Sequence, residues 1–119
     1  MGVQHYSGGC QCGAVRYEVD VDLDSSLTCN CSRCQKLGSV LAFAQGEKFQ
    51  LLKGQDNLTE YLFNTHRIHH VFCKTCGIES FANGKDTKSG QEFVAINANC
   101  LDGVNPRALN SKHFDGRAK

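Results

Sequence analysis

The sequence predicts a single, mainly β domain with one short helix. Three observations carry this. Twelve glycines against one proline, with no tryptophan in 119 residues, supply the turns of a chain of short strands rather than of a helical bundle. Residues 13–21 alternate strictly: Val15, Tyr17, Val19 and Val21 face one way and Arg16, Glu18 and Asp20 the other, the period of a strand with one buried face. Seven of the eight cysteines fall into three tight groups, which can cross-link a thin apolar core. The length fits one domain over residues 1–119, and no repeat, linker or second domain is visible.

The elements follow in order. Residues 22–26 are a polar turn. Ser32-Arg33-Cys34-Gln35 has the form of a capping box, and Gly38 stops the helix after little more than a turn. The apolar run 40–44 reads as a short buried strand, and 49–53 as another after the turn at Gly46. Residues 58–64 and 68–73 flank Thr65-His66-Arg67 and predict a hairpin. Residues 78–82 and 93–98 give two more strands, with the polar stretch 83–91 as the loop between them; from Asp102 onward the tail is expected to be irregular.

The cysteines are Cys10-Gln11-Cys12-Gly13, then Cys29-Asn30-Cys31-Ser32-Arg33-Cys34, then Cys73-Lys74-Thr75-Cys76-Gly77, with Cys100 apart. Tight turns of this spacing bring two thiolates to one tetrahedral zinc ion. A glycine after the second cysteine lets the backbone curl over the metal, and both Cys12 and Cys76 have one. Those two turns pair into a closed, structural zinc site of Cys10, Cys12, Cys73 and Cys76, closing a loop of about 60 residues.

The middle group offers three ligands, Cys29, Cys31 and Cys34, and leaves a fourth position for water or substrate, as at a catalytic zinc. Three thiolates already neutralise the ion, so an incoming thiol suits the fourth position better than an acidified water. Activation of a substrate thiol is the chemistry this set favours. Cys100 either completes the middle group, which would close both sites, or is a buried inert thiol. Disulfides are the alternative in an oxidising compartment, and a thioredoxin-like use of Cys73 and Cys76 lacks its βαβ context.

His69 and His70 lie on the strand entering Cys73, so at most one of them can point at a site. His66 falls in a turn, and His5 and His113 read as surface or packing residues. His70 and Arg33 are the candidate groups for a substrate oxyanion or carboxylate; Arg33 could equally face water.

The formal charge is +1, and seven zinc thiolates with two divalent ions bring it to about −2. With no basic run and no interleaving of basic and aromatic residues, nucleic acid is not an expected partner. Residues 1–7 lack a basic start and an apolar run, and no stretch approaches the roughly 20 apolar residues that span a bilayer. No membrane association and a cytoplasmic location are therefore expected.

Gly8-Gly9-Cys10-Gln11-Cys12-Gly13, Cys29-Asn30-Cys31-Ser32-Arg33-Cys34-Gln35-Lys36 with Gly38-Ser39, and Phe72-Cys73-Lys74-Thr75-Cys76-Gly77 together resemble the glutathione-dependent formaldehyde-activating enzyme (GFA) family, which also includes centromere protein V. Val94-Ala95-Ile96-Asn97 running into Leu101-Asp102, and His113-Phe114-Asp115-Gly116-Arg117, extend the likeness over nearly the whole chain. The resemblance implies a β-tent of packed antiparallel sheets with two zinc ions; the lability expected of the second follows from its three-cysteine set with an exchangeable fourth ligand. The resemblance also implies carbon–sulfur lyase chemistry, in which glutathione adds to formaldehyde. Two other functions compete. One is a non-catalytic, zinc-stapled protein-binding module. The other is a type B methionine sulfoxide reductase with Cys100 as nucleophile, which the sequence around Cys100 and the lack of tryptophan disfavour.

Overall fold

The computed structural model describes residues 2–63 and 67–115. Strands β1 (Gln4–Gly9), β2 (Arg16–Val21) and β5 (Phe49–Lys53) form a three-stranded sheet in the order β1-β2-β5. The second sheet is built from β3 (Leu27–Cys29), β4 (Leu41–Gln45), β6 (Leu58–Tyr61), β7 (His69–Cys73), β8 (Phe81–Lys85), β9 (Glu92–Asn97) and β10 (Lys112–Phe114). Its order is β10-β3-β4-β9-β8-β7-β6. One short helix, α1 (Ser32–Leu37), joins β3 to β4. The expected mainly β fold of two sheets and one short helix is what the chain adopts.

The core lies between the sheets. Val15, Tyr17, Val19 and Val21 are almost completely buried, as their alternation requires. They share one cluster with Ala42 and Ala44 of β4, Phe81 of β8, and Val94 and Ile96 of β9. Tyr17 is the largest of the fully buried side chains. Its ring lies 5.1 Å from Phe49 and 5.7 Å from Phe81. Its hydroxyl donates to the Ser80 carbonyl at 3.1 Å, so the polar tip is satisfied inside an apolar cluster.

The other face of the large sheet positions the site. Period-2 alternation sends Leu41 and Phe43 of β4, Phe93 and Ala95 of β9, Ala82 of β8 and His70 of β7 to one side. These six line a single cavity together with Cys29, Cys31 and Cys34.

Four expectations need correction. The helix is capped by Cys31, whose Sγ accepts from Cys34 N, and not by Ser32; the thiol already sits where a cap acceptor belongs. The strand expected over 78–82 begins only at Phe81. Residues 74–76 form a turn and 77–80 stay irregular instead, with Cys73 N donating to Ile78 O and Asn97 holding the carbonyls of Glu79 and Ser80. The tail is not wholly irregular: β10 pairs with β3, and in parallel, the exception among otherwise antiparallel ladders. β1 and β3 form where no strand was read. The hairpin of β6 and β7 forms as expected, while Thr65 and His66 at its tip lie outside the described residues.

Candidate metal centre

Two like turns build the first cluster. β1 ends at Gly9 and the chain turns through Cys10, Gln11, Cys12 and Gly13 toward β2, while β7 ends on Cys73 and the chain turns through Cys76 and Gly77. Cys10 N donates to Val15 O at 3.1 Å and Cys73 N to Ile78 O at 3.0 Å, closing the two turns alike. Gly13 and Gly77 have φ of 84° and 79°, a left-handed backbone that costs other residues about 1–2 kcal/mol.

The four Sγ atoms of Cys10, Cys12, Cys73 and Cys76 all lie within 4.8 Å of one another. Cys12 Sγ is 3.7 Å from both Cys10 Sγ and Cys73 Sγ. Four sulfurs held about 2.3 Å from a tetrahedral ion stand about 3.8 Å apart, so the cluster fits a metal. N–H groups already face the sulfurs. Val15 N donates to Cys10 Sγ at 3.3 Å, Thr75 N and Asn57 Nδ2 each donate to Cys73 Sγ at 3.3 Å, and Cys76 N does so at 3.5 Å. The N–H groups of Cys12 and Ile78 hold the Cys76 thiol down to about 6, and that of Cys76 leads in lowering Cys73. Cys73 and Cys76 thus favour the thiolate, whereas at Cys12 the Ala14 N–H lowers the thiol but burial and the neighbouring Cys10, Cys73 and Cys76 thiols outweigh it and raise it to about 11.

The second cluster gathers at the start of α1. Cys29 ends β3, Cys31 caps the helix and Cys34 lies in its first turn. Their Sγ atoms also lie within 4.8 Å of one another. Cys29 Sγ accepts from Cys31 N, and Cys31 Sγ from Cys34 N, both at 3.4 Å. Burial is the strongest single influence on Cys31 and opposes its ionisation, but the hydrogen bonds from the Cys34 and Arg33 N–H groups and from the Cys34 and Cys29 thiols together outweigh it and lower this thiol; burial, then Cys31 beside it, pushes Cys34 up to about 12. Among the described residues no fourth histidine, cysteine or carboxylate joins this group. Cys100 is in neither cluster. Burial raises its thiol to about 11, and the nearby charges of Cys10, Cys76 and Glu79 add to this.

The three cysteines line a cavity of about 440 Å³. His70 shares it, buried, with its ring 5.1 Å from that of Phe63. His70 Nδ1 donates to Glu79 Oε2 at 3.2 Å, because a carboxylate can only accept. Arg33 donates to Glu79 Oε1 through Nε at 3.0 Å and Nη2 at 2.5 Å, and its guanidinium lies 4.6 Å from the Tyr61 ring centroid. Arg33 therefore lines a neighbouring hollow of about 410 Å³ with Lys36, Tyr61 and Phe63, not the cysteine cavity itself. His69 points the other way and pairs with Glu60, as alternation along β7 demands. His5 and His113 bond Asp20 and Thr28 at the surface.

Glu79 is the site residue that sequence reasoning missed. The available clue was a lone acid among apolar and small neighbours directly after the Cys76 turn. A larger hollow of about 900 Å³, lined by Arg67, Lys85, Asp86 and Glu92 among others, contains no cysteine, so its size does not make it the chemical site.

The model for the glutathione-dependent formaldehyde-activating enzyme matches residues 5–114. The chain belongs to the GFA family. A crystal structure of a Rhodobacter sphaeroides protein is similar to it at 34% identity, with a TM-score of 0.80, covering 91% of this chain and 99% of that one. The GFA match contains all seven clustered cysteines together with His70 and Glu79. As a GFA-family chain it carries two cysteine clusters that can bind metal ions. No helix among the described residues is long and apolar enough to cross a membrane.

Proposed function

We propose that this GFA-family protein is a zinc-dependent carbon–sulfur lyase-type enzyme that joins a small thiol to a small aldehyde and splits the adduct in reverse. Family membership supports the reaction class, with glutathione and formaldehyde as the pair its description names. One observation carries the reading. Three cysteines without a fourth protein ligand among the described residues share a cavity with a buried histidine.

The first cluster would hold a structural zinc through Cys10, Cys12, Cys73 and Cys76, and the second a catalytic zinc through Cys29, Cys31 and Cys34. When bound there, zinc would supply an open position at which a thiol is acidified. The residues of the chain do the rest. Glu79 holds Nδ1–H of His70, so Nε2 of the neutral ring is left as an acceptor for the thiol proton. Sulfur attacks the carbonyl carbon, a C–S bond forms, the C=O π bond breaks, and His70 returns the proton to the alkoxide oxygen. The product is a hemithioacetal, and no other reactant is needed. Arg33 acts through Glu79 and keeps that carboxylate in place. Seven ligating thiols also favour a reducing compartment, which supports a cytoplasmic location.

Formation of the S-hydroxymethyl adduct from glutathione and formaldehyde, followed by NMR exchange, tests the reading. The zinc-loaded protein should exceed the uncatalysed rate, and Cys34→Ser should return it to that rate with unchanged circular dichroism. A wild-type rate no faster than the uncatalysed one with every thiol tried would sink the enzymatic reading.

A further inference from the structure

The cavity beside the three cysteines is lined mainly by apolar side chains. We propose that it takes a thiol carrying an uncharged aryl or branched alkyl group in preference to glutathione. This rests on the thiol-activation reading above and specifies its substrate.

The floor is written in the strand registers. Phe43 of β4 pairs with Ala95 of β9, Ala95 with Ala82 of β8, and Ala82 with His70 of β7. These four stand in one row on one face of the sheet. Two adjacent alanines lower its middle, with an aromatic ring at one end and the imidazole at the other. Phe93 and Leu41 extend the apolar floor, and Phe63 and Phe114 supply further wall. Phe43 and Phe114 remain 47% and 45% exposed, so a bound apolar group has surface left to cover.

Charge argues the same way. Among the described residues, no lysine or arginine lines the cavity. Its carboxylate, Glu79, is committed to Arg33 and His70. Lys36 and Arg33 line the separate hollow. The two carboxylates of glutathione would meet apolar rings and a like charge here, and an unpaired charge loses its hydration without return. Size agrees as well. About 440 Å³ is in the range of small-ligand pockets. Because Cys29, Cys31 and Cys34 form part of the wall, a sulfur seated among them carries its substituent onto the alanine floor.

The test is titration of the zinc-loaded protein with phenylmethanethiol and with glutathione, by calorimetry and by native mass spectrometry. Phenylmethanethiol should bind at least about tenfold more tightly. Phe43→Ala, at an exposed position, should weaken it several-fold, and Ala95→Leu, which fills the floor, should weaken it at least about tenfold. Both variants should keep the zinc content and the circular dichroism of the wild type. Glutathione binding as tightly as phenylmethanethiol would overturn the apolar preference and leave thiol activation standing, as would phenylmethanethiol binding indifferent to Phe43→Ala. Failure of both thiols to bind a protein loaded at both clusters would overturn the thiol-activation reading itself, and this inference with it.

Discussion

The two carboxylate oxygens of Glu79 serve different partners, Oε1 taking the Arg33 guanidinium and Oε2 the His70 ring. Glu79→Gln separates these tasks. The amide oxygen can still accept from Arg33, but the amide nitrogen would then face Nδ1, which must accept. The ring proton moves to Nε2, the nitrogen the proposed reaction needs free. The fold should survive, with a thermal midpoint within a few degrees of wild type. kcat should fall by about 10²-fold or more, the lower end for losing a positioned acid–base group. A packing role alone would lower stability and leave kcat per folded molecule unchanged, so kcat and the thermal midpoint measured on one preparation distinguish the two. Glu79→Asp, which keeps the acceptor but is one methylene shorter, should recover part of the rate.

At the scale of the element, α1 is too short to persist alone: six residues lie well below the roughly 12–15 that an isolated helix needs. It is held by its ends, Cys31 Sγ as cap and Gly38 at φ 71° as the left-handed stop. Its N-terminal cap is therefore itself a member of the second cluster, and metal occupancy there should decide whether the helix is ordered. Amide exchange at Gln35, bonded to Cys31 O, and at Gly38, bonded to Cys34 O, should speed up by at least about tenfold when the second cluster is emptied. Amides of β9 should not change; equal acceleration there would mean that the helix does not depend on the metal. The same contrast explains what could be read in advance. The buried face of β2 was legible because alternation is a local signal, and the pairing of the two cysteine turns because each carries the same local mark, a glycine after its second cysteine. Glu79 was not, since its partners stand 46 and 9 residues away in sequence. β10 was not legible either, because Lys112, His113 and Phe114 are exposed and their strand forms only against the edge offered by β3. The late start of β8 depends on Asn97, which reaches back to the Glu79 carbonyl at 3.0 Å and cannot be placed from local pattern.

For the whole molecule, the two clusters carry unequal loads. Cys10 and Cys12 follow the end of β1 in the small sheet, whereas Cys73 and Cys76 belong to the end of β7 in the large one. The first cluster thus ties one sheet to the other across 61 residues of chain. The second joins residues only five apart, all between β3 and α1, and constrains little beyond that loop. A metal bound only by the folded state adds its binding free energy to stability, and structural thiolate sites can supply about 10 kcal/mol or more. Domains have about 5–15 kcal/mol in total, so emptying the first cluster should exhaust most of the reserve. Cys76→Ser should therefore lower the thermal midpoint by at least about 15 °C or abolish the cooperative transition, at roughly 4 °C per kcal/mol for a domain of this size. Cys34→Ser should lower it by only a few degrees while removing one metal equivalent. Stepwise chelation of the wild type, followed by metal content and circular dichroism together, gives the same contrast without mutation. The first ion should leave with the β signal intact, and its loss should coincide with loss of thiol binding; removal of the second should unfold the chain. Equal destabilisation by Cys34→Ser and Cys76→Ser would mean that both clusters are structural, and the division between a closed site and a working one would have to be abandoned.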